Sequence, residues 1–186
     1  MSRLAKRSAR RQERATDPDT SVVTAAQAGD LAAFERLYDR HAPRINSLAE
    51  WMLGSTDTDD VIQDIFLRAW EKLSTFRGEA PFGAWLRKLA VRVLLRYRER
   101  QRTREERFVS DDDALRSAPA PADGLQLYTD IEAAIWRLPA RVREVLVLHD
   151  MEGYRHGEIA ELLGISAATS RWHVHAGRLM LQEHFE

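Results

Sequence analysis

Apolar residues recur at three- and four-residue intervals through most of the chain and almost nowhere in strict alternation. That is the period of helices packed along one face, so the pattern predicts an all-α protein. Asp30 stands as an N-cap ahead of a stripe at Phe34, Leu37, Tyr38 and His41. Pro43 is expected to kink or restart that helix; Ile45, Leu48, Ala49 and Met52 continue it to Gly54. Asp57, Asp59 and Asp60 open the next helix, acids at the positive end of its dipole. Ile62, Phe66, Ala69 and Leu73 give it one buried face. Gly78 to Gly83 reads as a loop. A helix from about Ala84 to Arg102 follows, with Leu86, Leu89, Ala90, Val93 and Tyr97 inward.

The periodicity stops between Phe108 and Gly124, where Ser110-Asp111-Asp112-Asp113 and Ala118-Pro119-Ala120-Pro121 read as a flexible linker. Beyond it, Leu125–Trp136, Ala140–Asp150, Arg155–Leu163 and about Ala167–His184 read as four helices. The expected architecture is two small helical domains joined by that linker.

Composition narrows the chemistry. The 186 residues contain no cysteine, so there is no disulfide, thiolate nucleophile or Cys-ligated metal. The basic N-terminus leads into no apolar stretch, and no run reaches the length of a bilayer span. A cytoplasmic protein with no membrane insertion is expected.

The net charge of −1 hides segregation. A basic tail (Arg3, Lys6, Arg7, Arg10, Arg11, Arg14) is followed by an acidic stretch, a basic helix and an acidic C-terminal part. Different surfaces are thus built for different partners. In the basic helix, Lys88, Arg92, Arg96, Arg100 and Arg104 stand four residues apart along one ridge. Each like-charge pair costs an isolated helix about 0.2–0.5 kcal/mol, a cost that a polyanion offsets through counterion release. Phe76, Phe82 and Trp85 lie at its entrance, where aromatic rings can stack unpaired bases.

The helix from Asp60 carries Asp60, Gln63, Asp64, Leu67 and Glu71 opposite its core face. An apolar residue ringed by acids fits a protein interface with a basic partner. No histidine or serine accompanies the carboxylates, and no EF-hand spacing is present, so neither catalysis nor a metal is expected.

Glu158-Ile159-Ala160-Glu161-Leu162-Leu163-Gly164-Ile165-Ser166 has the form of a helix-turn-helix: small Ala160 at the crossing, Gly164 at the turn, Ser166 as cap. The second helix of such a unit enters the major groove, which makes Ser166, Thr169, Ser170, Arg171, His173, His175 and Arg178 candidate DNA contacts. Two core stripes fit this helix. Ser170, Val174, Gly177 and Leu181 would leave Trp172 exposed; Trp172, Ala176 and Leu179 would hide it. His173 and His175 do not share a face, so they make no zinc pair.

Together these motifs resemble the extracytoplasmic-function (ECF) sigma factors of bacterial RNA polymerase. Asp60 to Trp70 and Phe76 to Leu86 are similar to sigma region 2. Leu138-Pro139 to Leu146, and Glu152 through Ser166 to Thr169, are similar to region 4. The likeness covers about residues 22–103 and 127–183. It implies a basic disordered tail at 1–18, a region 2-like bundle at 19–104, a flexible linker at 105–125 and a region 4-like helix-turn-helix domain at 126–186.

The resemblance implies a sigma factor that directs core RNA polymerase to promoters and promotes melting, with no enzymatic activity and no cofactor. Asp60, Gln63, Asp64 and Leu67 would dock on the clamp helices of the largest subunit. Phe76, Phe82, Trp85, Lys88, Arg92 and Arg96 would read and open the −10 element. Region 4 would hold the flap of the other large subunit and read the −35 element, and the linker would run through the RNA exit path. An anti-sigma protein is an expected partner. The chain departs from the family where Arg92 replaces a common Asn, Arg96 stands near a common Asp, and Trp172-His173 replaces a common Ser-Arg. The alternatives are a stand-alone helix-turn-helix regulator and a helical adaptor without DNA binding.

Overall fold

The computed structural model describes residues 17–54, 58–108 and 130–185, and among these all regular structure is helical. Residues 1–16 of the expected tail (1–18) and residues 109–125 of the expected linker (105–125) lie outside the described residues. Two compact units result. Among the described residues, one takes in 17–49 with 58–100; the other takes 50–54 with 101–108 and 130–185.

The first unit is built from α1 (Thr20–Gln27), α2 (Leu31–Leu53) as far as Ala49, α3 (Asp59–Lys72) with a 3-10 turn at Leu73–Thr75, and α4 (Phe82–Phe108) as far as Arg100. Asp30 caps α2 as expected: its Oδ1 accepts the Ala33 amide at 3.1 Å. Pro43 does not break α2, which runs unbroken through it. Pro43 is exposed, so its missing donor falls on the solvent side. The predicted face of α3 is buried, widened by Val61 and Ile65. Leu86, Ala90 and Val93 of α4 are buried as expected; Val91 and Leu94 join them, while Leu89 and Tyr97 are half-buried.

Two boundaries move. The α4 helix starts at Phe82, because the Pro81 carbonyl already accepts the Ala84 and Trp85 amides at 3.0 and 3.2 Å. It continues to Phe108, so the expected domain end at 104 lies inside a helix. At the other end, Asp17 already belongs to the fold, two residues ahead of the expected start. Its Oδ2 accepts the Phe82 amide at 2.9 Å, capping α4 from the far end of the unit.

The second unit holds α5 (Asp130–Arg137), α6 (Ala140–Leu146) running into a π turn at Val147–Met151, α7 (His156–Leu163) and α8 (Ala167–Phe185). Gly164 closes α7 at φ +63°, and the Ile165 amide returns to the Ala160 carbonyl at 3.1 Å. Gly177 lets α8 lie against α6: a Cβ there would come within 3.0 Å of Val142 Cγ1.

Candidate nucleic-acid and protein interfaces

The outer face of α3 is as polar as the spacing predicts, with one exception at its centre. Asp60, Gln63 and Glu71 are exposed, and Leu67 stands among them 58% exposed. The Asp64 carboxylate accepts from Arg68 Nε at 2.8 Å, which fixes it on this face. That bond also pushes the Arg68 pKa up. Ile65 and Ala69 are fully buried on the opposite side, so Leu67 serves no core.

A second surface forms where the loop before α4 meets α1. Gln27 Nε2 donates to the carbonyls of Leu73 and Phe76, both at 2.9 Å, and so holds the loop's first turn. A cleft of about 300 Å³ opens there, lined by Asp17, Thr20, Gln27, Phe76, Arg77 and Pro81 among others. Phe76 and Trp85 are half-buried, with ring centroids 5.3 Å apart, and keep some ring surface open. Phe82 does not. It is 1% exposed, packed between His41, Phe76 and Trp85 at 5.3, 5.8 and 5.5 Å. The expectation that Phe82 touches DNA is therefore corrected. As the first residue of α4, with its amide fixed by Asp17, it points into the core. Beneath it Asp19, 3% exposed, is bound by Arg40 and by His41 Nε2, the latter at 2.7 Å.

Past Trp85, Lys88, Arg92, Arg96 and Arg100 all emerge exposed along α4. The one-ridge spacing read in the sequence is thus a solvent-facing ridge for those four. Arg96 and Arg100 also border Asp64 and Arg68 of α3, so the basic ridge and the acidic face share an edge.

The helix-turn-helix forms the third surface. Ser166 Oγ accepts the Thr169 amide at 2.9 Å and meets the Thr169 hydroxyl at 2.8 Å, which caps α8 as expected. At the N-cap of α7 the Arg155 side chain makes no cap bond, and Glu158 Oε2 instead accepts the Arg155 amide at 2.9 Å. Thr169, Arg171, His175 and Arg178 are exposed. Ser170 is not: it is fully buried, its Oγ 3.0 Å from His156 Nδ1, and it braces α7 against α8 rather than facing DNA. His173 is only half-exposed. Its Nδ1 is buried without a hydrogen-bond partner, and burial, reinforced by Arg141, lowers its pKa. The choice between core stripes is now settled: Ser170, Val174 and Gly177 are buried and Trp172 is 61% exposed.

Sequence reasoning missed a polar cluster beside this helix. Asp150 on the π turn pairs with Arg178 of α8 and lies 2.6 Å from His149 Nδ1. His149 stacks on His156 with ring centroids 4.4 Å apart. The Arg178 hydrogen bonds hold the Asp150 pKa below the usual carboxylate value. Burial and the neighbouring His149, Arg171 and Arg178 lower that of His156. The residues are scattered over three elements, and only the π turn brings Asp150 round to α8, so no spacing pattern announces them. Among the described residues no group of side chains is arranged to hold a metal ion, and no helix is long and apolar enough to cross a membrane.

The chain has counterparts among known proteins. Residues 37–104 match the family model Sigma-70 region 2, and residues 128–181 match Sigma-70, region 4. The ECF RNA polymerase sigma-E factor of Haemophilus influenzae is 27% identical over 177 residues, covering 88% of this chain and 93% of its own. The ECF RNA polymerase sigma factor SigE of Mycolicibacterium smegmatis is 29% identical over 178 residues, covering 91% and 69%. Among solved structures, the sigma factor RpoE in complex with the anti-sigma factor NepR from Bartonella quintana shares the fold. Its TM-score is 0.57 at 24% identity, over 82% of this chain and 96% of that one.

Proposed function

This chain belongs to the ECF sigma factors of RNA polymerase, and from that membership we propose how its surfaces divide the work. The acidic face of α3 docks on the clamp helices of the largest core subunit through Asp60, Gln63, Asp64 and Leu67. The observation that carries this is Leu67, more than half exposed at the centre of a carboxylate ring. Such a residue loses its apolar surface to a partner, while the acids select a basic one.

Unpaired −10 DNA lies along the loop and cleft at Phe76 and then along Trp85, Lys88, Arg92 and Arg96. The cations bind phosphates, and the two half-open rings offer stacking surfaces to bases lifted from the duplex. Arg92, in place of a common Asn, and Arg96, near a common Asp, shift this surface toward backbone binding. Melting is then driven by trading base stacking in the duplex for these contacts. Duplex −35 DNA is read by α8 through Thr169, Arg171, His175 and Arg178, with Ser166 at its first turn. Region 4 also holds the flap of the other large subunit. The segment before α5 passes through the RNA exit path.

The factor acts in the cytoplasm with the polymerase and performs no catalysis of its own. It takes an anti-sigma protein as a regulatory partner, as the RpoE structure does with NepR. Transcription in vitro with purified core polymerase on genomic fragments, with start-site mapping, tests the reading. A discrete set of starts that requires this chain supports it; no change over core polymerase alone refutes it.

A further inference from the structure

Arg171 and His175 are the polar residues one would first assign to base reading on α8, yet Arg171 stands to one side of its outward face and His175 shares that face with two apolar side chains. Ser170, Val174 and Gly177 point to the core. At 3.6 residues per turn, the direction opposite them is occupied by Trp172, His175 and Leu179. All three are exposed, Trp172 the most at 61% and Leu179 at 45%. Arg171 and Arg178 lie one step round on a flank, and Arg178 is already held by Asp150. A helix lying in a major groove pushes its outermost row deepest toward the base edges. Here that row is led by an indole.

We propose that Trp172 is a specificity-determining residue that reads a thymine in the −35 duplex by apolar contact with its methyl group. This rests on the assignment of α8 to −35 DNA. The surroundings favour DNA over a protein partner for this face. From Ala167 to Gln182 the helix carries no acidic residue, and Arg171 and the Ser166 and Thr169 hydroxyls stand near its first turn. That potential suits a polyanion.

The chemistry of the side chain selects the base. Indole offers an apolar face and one N–H donor, and no acceptor. In the major groove thymine presents a methyl group and an O4 acceptor, which complement both features. Cytosine presents an N4 amino donor and no methyl, which complements neither. An exposed indole also adds nothing to the core, so its removal leaves the fold intact.

The test uses holoenzyme reconstituted from core polymerase and the full chain, transcribing a template library randomised across the −35 region. The wild type should enrich thymine at one position that Trp172→Ala leaves without preference, both proteins agreeing elsewhere. At that position uracil, which lacks only the methyl, should lower wild-type output about fourfold, the worth of one buried methyl group. The same change should leave Trp172→Ala unaffected. Identical base preferences in the two proteins would overturn the proposal, as would a defect in Trp172→Ala that is equal on every template. So would a defect traced to weaker core polymerase binding, which would assign the indole to a protein contact. If the wild type itself draws no preference from the library, the −35 assignment of α8 fails first, and the proposal with it.

Discussion

Asp150 grips Arg178 through two parallel hydrogen bonds, Nε to Oδ2 at 3.0 Å and Nη2 to Oδ1 at 2.7 Å. Arg178 is exposed on the helix assigned to duplex DNA, so a carboxylate already occupies the fork that a phosphate would take. Asp150→Ala should release it. Expected is tighter promoter binding by the holoenzyme, roughly three- to tenfold, with a salt dependence steeper by about one phosphate contact. Titrating open-complex formation against salt would measure both. An unchanged slope would mean that Arg178 stays off the backbone.

The docking face is tested where it is most exposed. Asp64→Arg reverses a charge at the rim of Leu67 and breaks the bond to Arg68. Pull-down of core polymerase should fall at least tenfold while the circular dichroism spectrum is kept. Leu67→Ser should do the same without any charge change. Retention of core binding by both variants would remove α3 from the interface.

Arg171 is exposed on α8 without an acidic neighbour on its own helix. Arg171→Ala should cost about 1–3 kcal/mol of −35-dependent promoter affinity, read by competition between templates with and without the −35 element. Equal loss on both templates would make it a general phosphate contact.

Phe82 and Phe76 are expected to part company. Phe82→Ala empties a fully packed site and should destabilise the protein by about 3–5 kcal/mol in urea unfolding. Phe76→Ala, half-buried, should cost less stability but reduce opening on supercoiled and linear templates alike. The reverse ranking would put Phe82, not Phe76, at the DNA.

His156 and His173 both have pKa values lowered by burial. The unfolded chain therefore takes up their protons first as pH falls. Their contribution to stability is complete above about pH 6.5, the ordinary histidine value, and declines below it until the folded-state pKa values are passed. Urea midpoints of the full chain at pH 7.5 and 5.5 should differ more for wild type than for the His156→Gln, His173→Gln double variant. Equal differences would show that these rings do not set the dependence.

Much of this architecture was legible because it depends on period and on local caps. The Ile62, Phe66, Ala69 and Leu73 stripe, the Asp30 and Ser166 caps and the Gly164 turn all state their role within a few residues. The helix-turn-helix and the Leu67 anomaly were readable for the same reason. What escaped depends on contacts far apart in sequence. Phe82 and Ser170 look available on a helical wheel, but Asp17 and His156, brought from elsewhere, turn them inward. Pro43 looked like a break because sequence shows the lost donor and not the solvent beside it. Trp172 was undecidable until Gly177 was seen against Val142, which fixes the side of α8 that faces in.

The capping of α4 by Asp17 has a practical corollary for anyone trimming this polypeptide for crystals or spectra. Removing residues 1–16 leaves the carboxylate in place. Starting at Thr20 would strip the helix end that presents Trp85 of its acceptor and leave Arg40 and His41 without Asp19. A shortened protein cut there would misreport promoter opening for reasons unrelated to DNA.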